Sequence, residues 1–309
     1  MTKYLIKRII SAIFTILIIA TITFFMLRVI PGGPFTREKA LPDAIIQALN
    51  EKFNLDQPLI MQWLSYMKGL ITFDLGPSYR ILGFTVNDII KAGLPTSALI
   101  GGLASFFIII IGIPVGIISA LKQNSPMDYF VMFIATLGVT VPNFIIATLI
   151  IYVFSSQLGW LPSYGVDNPL GYIGPVIALM GYSLSFVARL TRSSMLEVLR
   201  QDYVRTARAN GINEYKVIFK HALKNALIPV ITYIGPMIAA ILTGSFVVEK
   251  IFAVPGIGRY FVTGVTNRDY TVIMGMTILY SAFYIFMILL VDVAYSIVDP
   301  RIRLDGGSR

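Results

Sequence analysis

Six long apolar runs divide this chain of 309 residues. Each run holds roughly 18 or more mainly apolar residues, the length that an α-helix needs to cross the hydrocarbon core of a membrane. The runs lie at about 9–28, 97–121, 129–154, 170–188, 227–248 and 272–298. The pattern therefore predicts an all-α polytopic membrane protein with six transmembrane helices.

The polar stretches between the runs predict how the chain is organised. Within the longest of them, residues 42–53 and 59–71 have helical spacing, which predicts a small helical segment after the first span. The predicted units are an N-terminal end with the first transmembrane helix (1–30), an extracytoplasmic helical segment (31–95), a core with five transmembrane helices (96–298) and a cytoplasmic tail (299–309). The core contains a cytoplasmic loop at 189–225.

The distribution of Lys and Arg predicts the orientation. The net charge is +9. A cytoplasmic N-terminus would place fifteen of the 25 basic residues on the cytoplasmic side. The short loop 155–169, which would then lie outside, has no Lys or Arg. Both ends are therefore expected in the cytoplasm, and the positive charge needs no nucleic-acid partner. The first apolar run lacks a small-x-small cleavage site, which favours an uncleaved span over a secretory signal.

The residue inventory argues against an enzyme. The chain has no cysteine and one histidine, His221, so it cannot assemble a thiolate metal site or more than one histidine ligand. It also lacks the G-x-x-x-x-G-K-[ST] phosphate loop, so nucleotide hydrolysis is expected on another chain. Asp292 is almost the only acid recognised within the spans; a packing role is favoured over ion coupling there.

Residues 202–224, named here the coupling segment, combine helix signals with a sharp turn. Asp202 is expected to cap a first helix, Gly211 to end it in the left-handed conformation, and Asn213 to cap a second helix. Lys216, Lys220 and Lys224 would form a basic stripe on that second helix. The pattern predicts a protruding helix–Gly–helix element that another protein pushes on; a lipid-facing basic loop is the alternative.

Small and polar residues within the spans predict close helix packing. Gly112 and Gly116 flank Pro114 in a small-xxx-small pair, which allows two helices to approach closely. Uncharged polar side chains are candidates for lining a translocation path: Thr140, Asn143, Ser183, Ser185, Thr232, Tyr233, Thr243 and Ser245.

The coupling segment resembles the coupling loop of ABC importer permeases, whose general pattern is E-A-A-x-x-x-G. Arg205 and Thr206 replace the leading Glu and Ala, as in the peptide-importer branch, which reads R-T-A-x-A-x-G followed by H-A-L-x-N-A and a proline, here Pro229. Other stretches resemble the B-type permease subunit of bacterial ABC oligopeptide and dipeptide importers, in the binding-protein-dependent transport permease family: residues 31–35, 55–58, 74–78, 249–258, 267–270 and 299–301.

This resemblance implies a type I ABC importer permease fold in the bacterial cytoplasmic membrane. It implies a second homologous permease subunit, two ATPase subunits that bind ATP and Mg, and an extracytoplasmic peptide-binding protein, with no cofactor on this chain. Dipeptides, nickel chelates and glutathione are alternative cargoes within the family, and a proton-coupled secondary peptide transporter is the alternative outside it. The residues expected to couple to the ATPase are Asp202, Tyr203, Arg205, Thr206, Ala207, Arg208 and Gly211. Among them, Tyr203 and Ala207 would supply contact surface, and the two arginines would offer hydrogen bonds.

Overall fold

A computed structural model describes residues 2–35 and 42–298, with the side chains of 6–35 and 42–293. The described residues form thirteen α-helices and no β-strand. In chain order the helices are α1 Thr2–Val29, α2 Asp43–Lys52, α3 Leu59–Ile71, α4 Val86–Leu121, α5 Pro126–Thr140, α6 Asn143–Ile150, α7 Ile173–Leu199, α8 Asp202–Ala209, α9 Glu214–Lys216, α10 Leu223–Leu242, α11 Phe246–Ile251, α12 Ile257–Asn267 and α13 Tyr270–Val298. The π-helical segments Ile151–Gln157 and Val217–Ala222 extend α6 and join α9 to α10, and Pro169–Tyr172 is a 3₁₀ turn before α7.

Five stretches of the described chain are long and apolar enough to cross a membrane, which agrees with five of the six predicted runs. They contain α1, α4, α7, α10 and α13. The third predicted run, 129–154, is not one straight helix, because α5 and α6 meet at an angle of 102°. Val141 is extended and precedes Pro142, whose ring disfavours a helical conformation in the residue before it. The bent pair counts as a sixth span only if its two arms are taken together.

The second membrane helix begins earlier than the apolar run predicts. Thr85 and Asp88 form a reciprocal capping box, so α4 starts at Val86 and continues through Pro95 into the apolar run. The predicted boundary between the extracytoplasmic segment and the core therefore falls inside a continuous helix. The hydrophobicity pattern does not show the true start of this helix, because the first turns of α4 contain polar residues.

The predicted small-residue packing is confirmed where α4 crosses α7. A side chain at Gly112 would meet Val187, and one at Gly116 would meet Ala188 and Thr191, so the missing side chains permit the close approach. This contact lies beside the largest buried cluster, which contains Ile108, Val187 and residues of α6 and α10. The core is thus built around α7, the helix that leads directly into the coupling segment.

The predicted helices between the first and second spans are confirmed as α2 and α3. Gln62 of α3 accepts hydrogen bonds from Arg28 at the end of α1, and the Trp63 indole donates to Thr21 at 3.3 Å. Asp269, which is buried, accepts hydrogen bonds from the Ser78 hydroxyl and from the Tyr79 backbone N–H. These contacts fix the 42–85 segment against the ends of α1 and α13.

Candidate coupling site

The coupling segment has the elbow that its sequence predicts. Gly211 adopts a φ of +72°, in the left-handed region that glycine enters without strain. Its N–H donates to the carbonyl of Arg208 at 3.0 Å. The N–H of Ile212 donates to the carbonyl of Ala207 at 3.3 Å, which completes the termination of α8. The chain then turns away and enters α9.

One of the two predicted helix caps is correct. The Asn213 side chain accepts a 2.9 Å hydrogen bond from the Tyr215 N–H and so caps α9. The prediction that Asp202 caps α8 is wrong, because Gln201 is the N-cap and makes no side-chain cap hydrogen bond. Asp202 is instead the first helical residue, with its side chain 98% exposed, where its charge favours the positive end of the helix dipole.

A small apolar core holds α8 against the chain that follows it. Val204 and Ala207 lie three residues apart and therefore on one face of α8; both are buried against Val217 and Ala222. The prediction that Ala207 supplies contact surface is wrong, since its exposed fraction is 6%. The segment is thus a packed unit whose core holds α8 against the π-helical segment that leads into α10.

The outward face of α8 carries the remaining predicted residues. Tyr203, Arg205 and Thr206 are exposed, and the Arg205 side chain has an exposed fraction of 70%. Arg208 is engaged by Glu214 through two hydrogen bonds, Nε to Oε2 at 3.1 Å and Nη2 to Oε1 at 2.6 Å. These bonds raise the pKa of the Arg208 guanidinium and bridge the elbow. Arg208 therefore braces the segment, while Arg205 presents its charge to solvent.

The predicted basic stripe is not an α-helical stripe. Residues 217–222 form a π-helix, which has more residues per turn than an α-helix, so positions four apart no longer lie above one another. Lys216, Lys220 and Lys224 are exposed but do not share one α-helical line. Tyr215 and Phe219 are exposed as well, with ring centroids 4.5 Å apart, and add an aromatic patch to this surface.

Comparison with known proteins places this geometry in a family. The model described as "Binding-protein-dependent transport system inner membrane component" matches residues 112–304, and that of the N-terminal part of such components matches residues 1–79. The chain belongs to this family. It is a permease subunit of an ABC importer, a multi-pass membrane protein whose ATPase resides on separate subunits.

Curated relatives match the permease over almost its whole length. It is 48% identical to the dipeptide transport system permease protein of Bacillus subtilis (strain 168), with 98% of this chain and 99% of that protein covered. It is 45% identical to the oligopeptide transport system permease protein of Salmonella typhimurium (strain LT2), with 98% and 100% covered. In a solved inward-facing methionine ABC transporter, one chain matches with a TM-score of 0.55 and 17% identity, covering 68% of the permease and 96% of that chain. This likeness shows the type I importer fold.

The candidate path residues occupy several environments in the permease. Ser183, Ser185 and Thr243 are buried. Ser185 lies against Gly138 where α5 packs on α7, and the Thr243 hydroxyl donates to the Ala239 carbonyl of its own helix at 2.9 Å. The contacts of Ser185 and Thr243 are contacts within and between helices of this chain. The path-lining role of the buried residues therefore stays a prediction.

The other candidates lie nearer the surface of the chain. Thr140 and Thr232 are exposed, and each hydroxyl donates to a carbonyl of the preceding helical turn. Tyr233 packs on Phe186 with ring centroids 4.3 Å apart. Asn143 begins α6, and Ser245 is the N-cap of α11. The Ser183 side chain is a hydrogen-bond neighbour of Tyr233. A path that these residues line together with a second subunit stays a prediction.

Three buried acids were missed by the sequence interpretation: Asp269, described above, Asp128 and Glu249. Asp128 is 1% exposed and accepts from Arg192 at 2.7 and 2.6 Å, as well as from the Ser119 hydroxyl. Glu249 is 3% exposed and accepts from the Ser97 hydroxyl. The glycines near Glu249 in the sequence could have indicated that this carboxylate is buried, because a carboxylate packed against backbone needs neighbours without side chains.

The geometry at Asp292 agrees with the packing role. Its carboxylate lies 2.8 Å from the Arg8 guanidinium, so the acid of α13 is neutralised by the first helix. The Arg8 side chain is 41% exposed and that of Asp292 is 14% exposed. The pair joins α1 to α13.

Proposed function

We propose that this permease carries peptides into bacterial cells as one half of the translocation path of an ATP-driven importer. Two observations support the cargo: the curated relatives above carry peptide-transport names, and they match the chain from end to end at 48% and 45% identity. One of these relatives is named for dipeptides and the other for oligopeptides. The proposal therefore commits to peptides as the cargo class, with oligopeptides as the first cargo to test.

The proposed complex contains four kinds of subunit. A second, homologous permease completes the path, two ATPases bind ATP and Mg at the cytoplasmic side, and a peptide-binding protein docks outside. The charge distribution supports a cytoplasmic N-terminus and coupling segment. The basic residues of the predicted C-terminal tail, 299–309, lie outside the described residues.

The coupling segment is the proposed docking point for an ATPase. Tyr203, Arg205 and Thr206 offer an exposed surface on a helix that is braced from behind by Val204 and Ala207. Only residues 200–201 separate α7 from α8, and the Tyr203 hydroxyl accepts a 2.7 Å hydrogen bond from Asn225 in α10. Closure of the ATPase pair would therefore move α7 and α10 together, opening the path on its outer side; ATP hydrolysis would return it to the inward-facing state.

A pair of substitutions at one position tests this coupling. Gly211→Pro is incompatible with the left-handed backbone at this position, because the proline ring fixes φ in the negative region and removes the N–H that bonds to Arg208. Gly211→Ala keeps that N–H and meets no atom within 4 Å, so it retains the elbow with mild strain. Reconstituted complexes carrying Gly211→Pro should assemble but lose peptide-stimulated ATP hydrolysis, whereas Gly211→Ala should keep most of it. Full stimulation with proline would contradict the assignment.

Copurification tests the proposal against a secondary transporter. The tagged permease, extracted gently from its own membrane, should bring down a second permease and ATPase subunits. ATP hydrolysis should rise when binding protein and an oligopeptide are added together. Recovery of the chain alone, with uptake that a protonophore abolishes, would favour proton-coupled transport instead.

A further inference from the structure

A polar cavity of about 270 Å³ lies between the end of α1, the helices α2 and α3, and the start of α13. None of the residues assigned above to coupling or to the path lines it. Its lining residues include Arg28, Lys52, Tyr66 and Tyr79. The cavity is therefore lined by polar side chains and lies apart from the coupling segment.

Arg28 is a part-buried cation without a carboxylate partner among the described residues. Gln62 Oε1 accepts from both Nε and Nη2 at 3.1 Å, and the carbonyl of Phe24 lies 3.5 Å from Nη1. The guanidinium also lies over the Phe24 ring, with Cζ 3.7 Å from the centroid, and the Tyr79 side chain is a further hydrogen-bond neighbour. These neighbours fix the position of the guanidinium but do not neutralise its charge, so its N–H groups can still bind an anion.

Tyr66 supplies a donor beside this cation. Its hydroxyl oxygen is buried and has no hydrogen-bond partner among the described residues. Buried hydroxyls are nearly always bonded, so an orphaned one in a cavity wall indicates a missing partner. Tyrosine hydroxyls are protonated at neutral pH and can donate; burial raises the pKa of Tyr66 and of Tyr79 further.

The remaining walls define the size and polarity of a ligand. Phe53 and Tyr79 lie with ring centroids 4.8 Å apart and form an aromatic side to the cavity, together with Met274. Arg28 and Lys52 outnumber Asp74, the one acid that lines the cavity, and Asp74 already accepts from the Gly76 N–H at 3.0 Å. A single net positive charge beside apolar walls suits a small monoanion with an organic part.

We propose that this cavity binds a small organic carboxylate, with the carboxylate on Arg28 and Tyr66 and the apolar part against the aromatic wall. One carboxylate oxygen can accept from the guanidinium N–H groups that Gln62 leaves open, and the other from the Tyr66 hydroxyl. An inorganic anion would make no favourable contact with the aromatic wall. The site is separate from the proposed peptide path. Its test therefore measures binding and does not depend on transport.

Phenylacetate is a suitable probe, and neutral phenylacetamide has nearly the same shape. Calorimetry on the purified complex in phosphatidylcholine nanodiscs should detect binding of phenylacetate but not of phenylacetamide. Arg28→Gln should weaken the binding about tenfold or more, the usual effect of losing a charge-assisted hydrogen bond. Lys68→Gln removes a positive charge from α3 outside the cavity and should leave the affinity unchanged.

Tyr66→Phe provides the variant least disturbing to the fold. It removes a hydroxyl that has no partner within the described chain, so it should not destabilise the permease, but it should weaken phenylacetate binding several-fold. Equal binding by wild type, Arg28→Gln and Tyr66→Phe would overturn the proposal. So would Arg28-dependent stabilisation by phosphatidylglycerol nanodiscs or inorganic phosphate without any response to phenylacetate, because the anion would then be a phosphate.

Discussion

The hydroxyl of Ser97 donates a 2.7 Å hydrogen bond to Oε1 of Glu249, which lies 152 residues later in the chain. The same hydroxyl accepts from the N–H of Ile257 at 2.9 Å, and Oε2 of Glu249 accepts from the N–H of Arg259 at 3.2 Å. Gly256 lacks a side chain at the point where one would strike both Ser97 and Glu249. Ser97 of α4 and Glu249 of α11 therefore accept hydrogen bonds from backbone N–H groups in the first turn of α12, whose own N-cap residue makes no side-chain hydrogen bond.

Ser97→Ala should destabilise the permease by about 1–3 kcal/mol, because it leaves the Ile257 N–H and one carboxylate oxygen without a partner in a buried site. The measurement is the thermal unfolding of the purified complex. Ser193→Ala is the matched control, since the Ser193 hydroxyl is exposed and donates only to the Leu190 carbonyl of its own helix. Equal unfolding temperatures for the two variants would contradict the prediction.

Asp128→Ala should destabilise the contact between the start of α5 and the end of α7 by about 3 kcal/mol, since removing one partner of a buried ion pair leaves the other charge uncompensated. This figure is at the lower end of the destabilisation expected for breaking a buried ion pair, because the Arg192 side chain is 22% exposed. Asp202→Ala removes an acid from an exposed pair with a 3.7 Å separation. That variant should change stability by less than about 1 kcal/mol. Thermal unfolding of both variants checks the difference; similar values would show that the buried pair does not hold these helices together.

Ala207→Glu should open the coupling segment, because it places a charge in the apolar core beside Val204 and Val217. Limited proteolysis should cut between residues 200 and 216 about tenfold faster than in the unmodified permease. Thr206→Glu introduces the same side chain one residue earlier at an exposed position and should leave the cutting rate unchanged. If both variants are cut at the same rate, α8 is not held by this core.

Asp292→Asn should leave ATP-driven peptide uptake within about threefold of the unmodified level, because the ion pair with Arg8 is partly exposed and therefore contributes little. The measurement is uptake into proteoliposomes with and without a protonophore. Loss of uptake in a fully assembled complex, or uptake that becomes sensitive to the protonophore only in the variant, would restore ion coupling as the role of Asp292.

Local patterns in the sequence determined much of the coupling segment. Gly211 and Asn213 act at short range, through a backbone conformation and a side-chain cap that involve neighbouring residues. Asp202 was assigned one position wrong because local patterns place a helix boundary only to within one or two residues. The π-helix at 217–222 was not foreseen; its residues Val217 and Ala222 are buried against α8.

The apolar runs by themselves determined that this chain is a helical membrane protein, because only a continuous helix satisfies its own backbone in lipid. The tertiary structure decided which polar residues are buried. Asp128 meets Arg192 across 64 positions and Glu249 meets Ser97 across 152, and no local spacing records such pairs. It also decided that Arg28 and Tyr66 share one cavity, because that cavity arises from the packing of separate helices.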